Sequence, residues 1–304
     1  MLETAPAVRP TRYERFTLSD RIEHWVQVVA FTGLAITGLV QFAADAAFPR
    51  SIISALGGIN NTRFIHRSFG VVVLLAMAYH FGTAGYRFYV ERIGHEIVPG
   101  RRDVRAAVHS ALFSLGRRSD RPLEGKFTFS EKIEYWSIIW GTVLMAITGL
   151  MMWNPVATTK ILPGQFIPAA KAAHGGEAIL AVLAILIWHT YFIHIRHFNR
   201  SMFHGHLTEN EMRRDHPVEL SAIHGGGARR EIAPEELRRR RSRFFAFYVV
   251  VVLVGAVSVI GFLTYEEIAI KTVPPDLQSE QVSAPSGPAE GVGSVDAAIR
   301  VVSP

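Results

Sequence analysis

One stretch of the chain occurs twice, and this repeat decides the fold. It reads Arg15-Phe-Thr-Leu-Ser-Asp-Arg-Ile-Glu-His-Trp25 and, 111 residues later, Lys126-Phe-Thr-Phe-Ser-Glu-Lys-Ile-Glu-Tyr-Trp136. The same offset relates Ile36-Thr-Gly-Leu39 to Ile147-Thr-Gly-Leu150, each inside a long apolar run. Matching segments that lead into matching apolar runs indicate a duplicated helical hairpin.

The composition places these helices in a membrane. Hydrophobic residues make up 49% of the 304 residues and charged residues only 19%, whereas a soluble protein has about 25% charged residues. The mean hydropathy is +0.21. Cysteine is absent, which excludes disulfides, covalently attached c-type haem, iron–sulfur clusters, thiolate zinc sites and cysteine nucleophiles.

Five apolar runs are long enough to cross a hydrocarbon layer of roughly 30 Å as helices. They are Trp25–Phe42, Phe69–Tyr86, Tyr135–Trp153, Ala178–Ile195 and Phe244–Tyr265. Aromatic residues stand near their ends, as expected at the level of the lipid headgroups. Ser19 and Ser130 are expected to cap the first and third helices, because acidic residues follow them in the first turn.

The predicted fold is therefore an all-α membrane protein, in which two related hairpins form a four-helix bundle and a fifth transmembrane helix is added. The expected segments are an N-terminal segment 1–21, the bundle 22–220 with a loop at 87–132, a basic linker 221–243, the fifth helix 244–265 and a flexible tail 266–304.

The distribution of basic residues predicts the orientation. Segments 1–21, 87–132 and 196–243 hold 25 Lys and Arg residues, and the alternate segments 43–65, 154–173 and 266–304 hold six. Because basic residues accumulate on the cytoplasmic side, the N-terminus is expected in the cytoplasm and the C-terminus outside, in the periplasm of a bacterial inner membrane. The run Arg238–Arg241 is then a topology signal, and no nucleic-acid partner is expected.

Histidines stand at matching depths in the second and fourth helices. His66 and His80 are separated by roughly 21 Å of helical rise, and His174 and His189 by a similar distance. His66 and His174 share the outer level, while His80 and His189 share the inner level with His24. Burying several imidazoles in lipid is costly, so they need a common reason, and axial ligation of two stacked b-type haems supplies it.

These residues resemble a known family, the di-haem cytochrome b subunits of respiratory formate dehydrogenases and nickel–iron hydrogenases. The resemblance covers roughly residues 12–220 and is carried by 126–137, 147–155, 184–187 and 213–217. It implies an electron-transfer subunit, rather than a complete enzyme, that connects a redox partner outside the membrane with quinone. Carried over by motif, the family's haem ligands fall on His24, His66, His174 and His189.

The sequence departs from the family pattern at the inner level. His80 is additional, and His189 lies fifteen residues after His174 where the formate dehydrogenase pattern has fourteen, which turns it by roughly 100° in a regular helix. The family pattern favours His24 as the partner of His189, and the internal repeat favours His80, because Tyr135 replaces His24 in the second copy. Both alternatives stay open, and a third haem on the unpaired histidine lacks an identified second ligand.

Several further residues are candidates with weaker signals. Arg63 and Arg67 flank His66 and are candidates for pairing with haem propionates or for interfacial packing. The quinone is expected near the inner haem, where titratable residues collect: Glu23, Lys132 and Glu134, beside Ser130 and His24. Glu177 lies one turn below His174 and is a candidate for a proton relay or for a hydrogen bond to a neighbour. His204, His206, His216 and His224 are expected to be solvated.

The expected function is electron transfer through two b haems between membrane quinone and an iron–sulfur or multihaem partner on the periplasmic side. The alternatives are a free-standing transmembrane cytochrome that reduces a soluble acceptor, and a haem-free anchor or transport subunit whose histidines pack or relay protons.

Overall fold

Two helical hairpins form the body of the protein. In the computed structural model, which describes residues 12–120, 125–195, 198–225 and 232–266, the first hairpin consists of α1 (Leu18–Phe42) and α3 (Ile59–Tyr89). The short helix α2 (Ala47–Ala55) connects them. A 3₁₀ turn at His95–Ile97 and the helix α4 (Arg101–Ser114) then lead to the second hairpin.

The second hairpin repeats the first with one difference. It consists of α5 (Phe129–Trp153), the short α6 (Pro155–Ile161) and α7 (Phe166–Leu183), and the last helix continues as a π-helix over Ala184–Ile195. Helix α1 packs against α3, α5 packs against α7, and α1 also packs against α7. The predicted duplicated-hairpin bundle is confirmed.

The two hairpins begin with the same capping motif, two residues earlier than expected. The hydroxyl of Thr17 accepts the backbone N–H of Asp20, whose carboxylate accepts the N–H of Thr17 at 2.9 Å. Thr128 and Glu131 form the same reciprocal pair. The prediction of Ser19 as a cap, and of its counterpart in the second copy, was wrong, because a threonine three residues before an acidic residue completes a capping box.

A small polar layer joins the starts of the two hairpins. Strand β1 (Arg12–Glu14) pairs antiparallel with β2 (His206–Thr208), a ribbon that the sequence analysis did not predict. Around it lie the short helices α8 (Ser201–His204), α9 (Glu209–Asp215) and α10 (Pro217–His224). A small core of Leu207, Met212 and Leu220 closes this layer.

Arg15 connects the two copies of the repeat within this layer. Its side chain is 4% exposed and lies 3.3 Å from the carboxylate of Glu131 and 3.5 Å from that of Glu219. It also donates a hydrogen bond of 2.6 Å to the carbonyl oxygen of Lys126, its own counterpart in the second copy. The beginnings of α1 and α5 are thereby held together.

The fifth long helix, α11, spans Pro234–Leu263 and packs against α3. It begins within the segment expected as a basic linker, so that Arg238–Arg241 are helical. The hydroxyl of Tyr248 donates to the carbonyl oxygen of Ala78 at 2.8 Å, and Tyr248 lies over Gly82 of α3. Residues 267–304, expected as a flexible tail, lie outside the described residues.

Five helices have the length and apolar composition of membrane spans; four contain the predicted runs entirely, and the fifth ends at Leu263, two residues before the predicted end at Tyr265. They are Leu18–Phe42, Ile59–Tyr89, Phe129–Trp153, Phe166–Ile195 and Pro234–Leu263. Most of their apolar side chains remain exposed in the isolated chain, as expected when lipid covers them. The fold is that of a multi-pass α-helical membrane protein.

Candidate functional site

His66 and His174 face each other across the bundle. Their ring centroids are 6.4 Å apart, and the planes are inclined by 70°. Nδ1 of His66 lies 2.9 Å from the hydroxyl of Thr37, and Nδ1 of His174 lies 2.9 Å from that of Thr148. We call His66 and His174 the threonine-bonded pair.

The hydrogen bonds of the two threonines determine which ring nitrogen is free. Each hydroxyl donates its proton to a carbonyl oxygen of its own helix, from Thr37 to Gly33 at 2.6 Å and from Thr148 to Leu144 at 2.7 Å. The hydroxyl oxygen therefore accepts the Nδ1–H of the histidine. Nε2 of each ring carries no proton in this arrangement and is available to bind a metal ion.

The repeated Ile-Thr-Gly-Leu motif is explained by this contact. The threonine orients the histidine, and the glycine after it leaves room for the ring. A Cβ atom at Gly38 would lie 3.1 Å from Cε1 of His66, and one at Gly149 would lie 3.3 Å from Cε1 of His174. The motif is recognisable in the sequence as part of the repeat, but its role beside the histidines depends on contacts between helices.

His24 and His189 form the second pair. Their ring centroids are also 6.4 Å apart, and the planes are inclined by 32°. The Nδ1–H of His189 donates a hydrogen bond to the carboxylate of Glu134. Nε2 of the ring then carries no proton and is available to bind a metal ion. Nδ1 of His24 is buried and has no hydrogen-bond partner among the described residues. We call His24 and His189 the glutamate-bonded pair.

The π-helix accounts for the position of His189. A π-helical turn contains about one residue more than an α-helical turn, because its hydrogen bonds join residues five apart. Thr190 shows this spacing, since its hydroxyl donates to the carbonyl oxygen of Ile185 at 2.9 Å. The extra residue between His174 and His189 is absorbed in this way, and His189 returns to the face that meets His24.

The same helix brings His194, which was not predicted as a site residue, next to the glutamate-bonded pair. His194 lies five residues after His189, and its ring stands edge-on to that of His189 at a centroid distance of 6.0 Å. In a regular α-helix, residues five apart point in different directions. A π-helical segment therefore had to be known before His194 could be assigned to this face.

His80 belongs to neither pair. Its Nδ1 lies 2.9 Å from the carboxylate of Glu23, and its Nε2 lies 2.9 Å from the hydroxyl of Tyr135. Both ring nitrogens are thus hydrogen-bonded. Of the two alternatives for the partner of His189, the geometry brings His24 to it and holds His80 elsewhere.

Each pair fits a site at which two imidazoles would hold one iron atom. Two imidazoles that bind a metal ion from opposite sides have centroids roughly 6 Å apart, because each metal–imidazole bond is about 2.0 Å long, and both pairs match. Within the described part of the chain no group of three or more His, Cys, Asp or Glu residues could hold a bare metal ion. The donors therefore suit a macrocycle that supplies the remaining ligands of the iron.

The two arginines beside His66 differ in their surroundings. Both are exposed, but the guanidinium of Arg67 also lies 5.0 Å from the ring centroid of Trp153, a cation–π contact. Arg67 borders a half-open cavity of about 310 Å³, lined by Asn60, Phe64, Arg67, Ser68, Val71 and Trp153. Glu177 lies against Gly141, where a Cβ atom would be 2.5 Å from its carboxylate oxygen.

Lys132, an expected site residue, and His216, expected to be solvated, both have structural partners. The ammonium of Lys132 binds the carboxylate of Asp103 at 2.8 Å, and both side chains are largely buried. Burial opposes ionisation of Asp103, but Lys132 and the backbone N–H of Gly100 outweigh it and lower the pKa of the carboxyl group. His216 was expected to be solvated, which was wrong: it is 4% exposed, and Nδ1 bonds the carbonyl oxygen of Gly125 at 3.0 Å.

The sequence of the four-helix body matches a known family. The family profile of prokaryotic cytochrome b561 matches residues 15–205, which contain both histidine pairs. The chain belongs to this family. Membership in the cytochrome b561 family implies b-type haem and makes the chain a membrane cytochrome b, as the resemblance predicted.

Similar proteins carry consistent names. The nitrate-inducible formate dehydrogenase cytochrome b556(Fdn) subunit of Escherichia coli (strain K12) is 22% identical over 212 residues, 70% of this chain and 92% of that protein. The formate dehydrogenase cytochrome b556 subunit of Haemophilus influenzae is 25% identical over 211 residues, covering 68% and 82%. The cytochrome b556(fdo) subunit of Escherichia coli is 22% identical over 208 residues, covering 67% and 89%.

Proposed function

We propose that this cytochrome b561-family protein is the membrane subunit of a respiratory oxidoreductase complex. It holds two b haems, one between His66 and His174 and the other between His24 and His189. The observation that carries this proposal is the pair of facing imidazole sets, each with a centroid separation of 6.4 Å. Bound haem supplies an iron atom that accepts and releases one electron.

The residues around the two pairs have distinct tasks in this proposal. Thr37, Thr148 and Glu134 orient the ligating rings through Nδ1, as outer-shell partners do in other metal sites. Arg67 and Arg63 are kept as candidates for the propionates of the haem at the threonine-bonded pair.

Quinone is proposed to react near the glutamate-bonded pair. Titratable side chains lie around that pair. Glu134 is hydrogen-bonded to His189, and Glu23, which precedes His24 in the sequence, is hydrogen-bonded to His80. Quinone chemistry moves protons as well as electrons, and no such carboxylate bonds the threonine-bonded pair in the described residues. The distribution of Lys and Arg supports a cytoplasmic location for this end.

The partner is proposed to meet the opposite end of the bundle, at the threonine-bonded pair. The related proteins are named as cytochrome subunits of formate dehydrogenase, and this chain has no cysteine from which to build an iron–sulfur relay. An iron–sulfur or multihaem subunit on the periplasmic side is therefore proposed. Helix α11 lies outside the family match and is proposed to help retain that subunit.

The test is a dithionite-reduced minus oxidised spectrum of the purified chain, with haem quantified per polypeptide. Two b haems per chain are expected, and they should titrate as two one-electron components. A folded protein that takes up no haem when haem is supplied would contradict the proposal and favour the alternative of a haem-free anchor or transport subunit. Full activity of the isolated chain toward a soluble acceptor would contradict the proposed complex.

A further inference from the structure

Three helices meet at a hydrogen-bonded triad that the proposed electron path does not use. His80 of α3 bonds Glu23 of α1 through Nδ1 and Tyr135 of α5 through Nε2, both at 2.9 Å. The carboxylate of Glu23 receives two weaker contacts of 3.4 Å, from the hydroxyls of Ser19 and Thr83. Its side chain is 16% exposed, and that of His80 is 32% exposed.

The internal repeat relates this triad to the glutamate-bonded pair. Glu23 corresponds to Glu134, and Tyr135 corresponds to His24. Both histidines of the inner level, His80 and His189, bond a glutamate through Nδ1. The difference lies at Nε2, which in His80 meets a tyrosine hydroxyl. Because that hydroxyl occupies the nitrogen that would face an iron atom, His80 is closed to ligation.

The proton positions in the triad follow from its chemistry. A carboxylate only accepts hydrogen bonds, so the Nδ1–H of His80 donates to Glu23. Nε2 of the neutral ring then accepts the O–H of Tyr135. All three groups are satisfied in this arrangement, and a fully satisfied polar network in a low-dielectric region holds its members in one geometry.

The triad is connected to the residues that hold the second haem. Glu23 directly precedes His24 on α1, and Tyr135 directly follows Glu134 on α5. Helix α1 supplies one member of the glutamate-bonded pair, and α5 supplies the carboxylate that orients the other. His80 therefore restrains the rotation of both helices about their axes at the depth of this pair.

We propose that His80 is a positioning residue for the glutamate-bonded pair, which it fixes through Glu23 and Tyr135 without binding iron itself. This inference rests on the proposed function, since it concerns the haem at His24 and His189. It assigns the additional histidine a role and excludes it as the ligand of a third haem.

The experiment compares two substitutions of His80 in the full chain. His80→Gln keeps one donor and one acceptor on a side chain of similar reach, while His80→Leu removes both. Each purified variant is examined for haem per chain, for the midpoint potentials of its two haems and for the electron paramagnetic resonance signals of the oxidised protein. Tyr135→Phe removes one hydrogen bond of the triad and serves as a milder variant if His80→Leu does not fold.

Two haems per chain are expected in every variant. In His80→Leu, the ratio of oxidised to reduced iron at a fixed potential is expected to change about tenfold for one haem, a shift of roughly 60 mV. Its resonance signal should broaden, while that of the other haem stays unchanged. Tyr135→Phe should show a smaller shift of the midpoint potential of the same haem. His80→Gln should have potentials and signals close to those of the native chain.

Other outcomes overturn the inference. Loss of one haem in both His80 variants would make His80 a ligand. Unchanged potentials and signals in His80→Leu and Tyr135→Phe would make the triad a packing feature only. Changes of equal size in both haems would indicate a general loosening of the bundle. Absence of haem from the native chain would instead contradict the proposed function, so the two failures are distinguishable.

Discussion

The two histidine pairs occupy the same bundle at the same ring separation, but their surroundings differ. The threonine-bonded pair obeys the repeat, with a histidine, a threonine and a glycine contributed by each copy. The glutamate-bonded pair breaks the repeat, because His24 comes from α1 and its counterpart is Tyr135. Duplication therefore accounts for the residues of the threonine-bonded pair. The glutamate-bonded pair differs from the repeat in two ways: a π-helix carries His189, and hydrogen bonds occupy both ring nitrogens of His80.

This difference has an electrostatic consequence. A carboxylate that accepts the Nδ1–H of an axial histidine increases the basicity of the ring and favours oxidised iron, whereas a neutral hydroxyl does so less. The haem at the glutamate-bonded pair is therefore expected to have the lower potential of the two.

The largest expected effect is the loss of one haem when a single ligand is removed. His174→Ala and His189→Ala should each reduce the haem content from two per chain to one, because one axial bond is missing. The two variants should lose different components of the redox titration. His224→Ala, which changes an exposed histidine bonded to Tyr13, should retain both. An unchanged spectrum in His174→Ala would exclude that residue as a ligand.

The π-helix offers a second test of the comparison. Insertion of one alanine after Leu186 should turn His189 by roughly 100° and remove the haem of the glutamate-bonded pair only. Deletion of Leu186 should shorten the separation of the two histidines from fifteen positions to fourteen, which a regular α-helix accommodates, and should retain both haems. Haem per chain measures both variants. If the insertion is tolerated as well as the deletion, the π-helix does not position His189.

The difference between carboxylate and hydroxyl is tested by Glu134→Gln and Thr148→Val. Glu134→Gln should raise the midpoint potential of one haem by roughly 60 mV, which corresponds to a tenfold change in the ratio of the two iron states. Thr148→Val should shift the other haem by less than half of that. Potentiometric titration measures both. A downward shift in Glu134→Gln would contradict the assignment of the carboxylate to the haem of lower potential.

The ion pair of Lys132 and Asp103 should stabilise the bundle in a pH-dependent way. Asp103→Asn is expected to cost about 2 kcal/mol at pH 7, because hydrogen bonds between charged groups contribute about 1.5–3 kcal/mol. The lowered pKa of Asp103 means that this stabilisation is complete above the ordinary carboxyl pKa of about 4 and is lost as the pH falls through the lowered value.

Thermal unfolding of both proteins from pH 7 downward measures this effect. The difference between the native chain and Asp103→Asn should shrink below about pH 4. A difference that grows in acid would contradict the ion pair, since protonation of Asp103 removes its charge in the native chain.

The smallest expected effect concerns the glycine beside His66. In Gly38→Ala the new methyl group would lie 3.1 Å from the ring, so His66 must shift by a few tenths of an ångström, at a cost of about 1 kcal/mol. Gly255→Ala on α11 is the matched control, since nothing lies within 4 Å of the added atom. Thermal unfolding followed by haem absorbance compares them, and equal stability would show that the ring is not tightly seated.

Much of the site could be predicted from the sequence because it depends on periodicity and repetition. The apolar runs determine the five spans, since only a helix satisfies its backbone in lipid. The repeat determines the two hairpins and the common depth of His66 and His174. The choice of helix caps failed, because serine and threonine are both good caps and only the reciprocal bond to Asp20 distinguishes them.

Only the tertiary structure shows that His24, and not His80, lies beside His189. Spacing along a helix gives depth, but the partner of an imidazole depends on which side chains from other helices occupy its two nitrogens. Tyr135 and Glu23 occupy both nitrogens of His80, and the π-helix turns His189 toward His24. These contacts join residues more than fifty positions apart, and a hydrogen bond over such a separation forms only when the helices that carry its ends have packed.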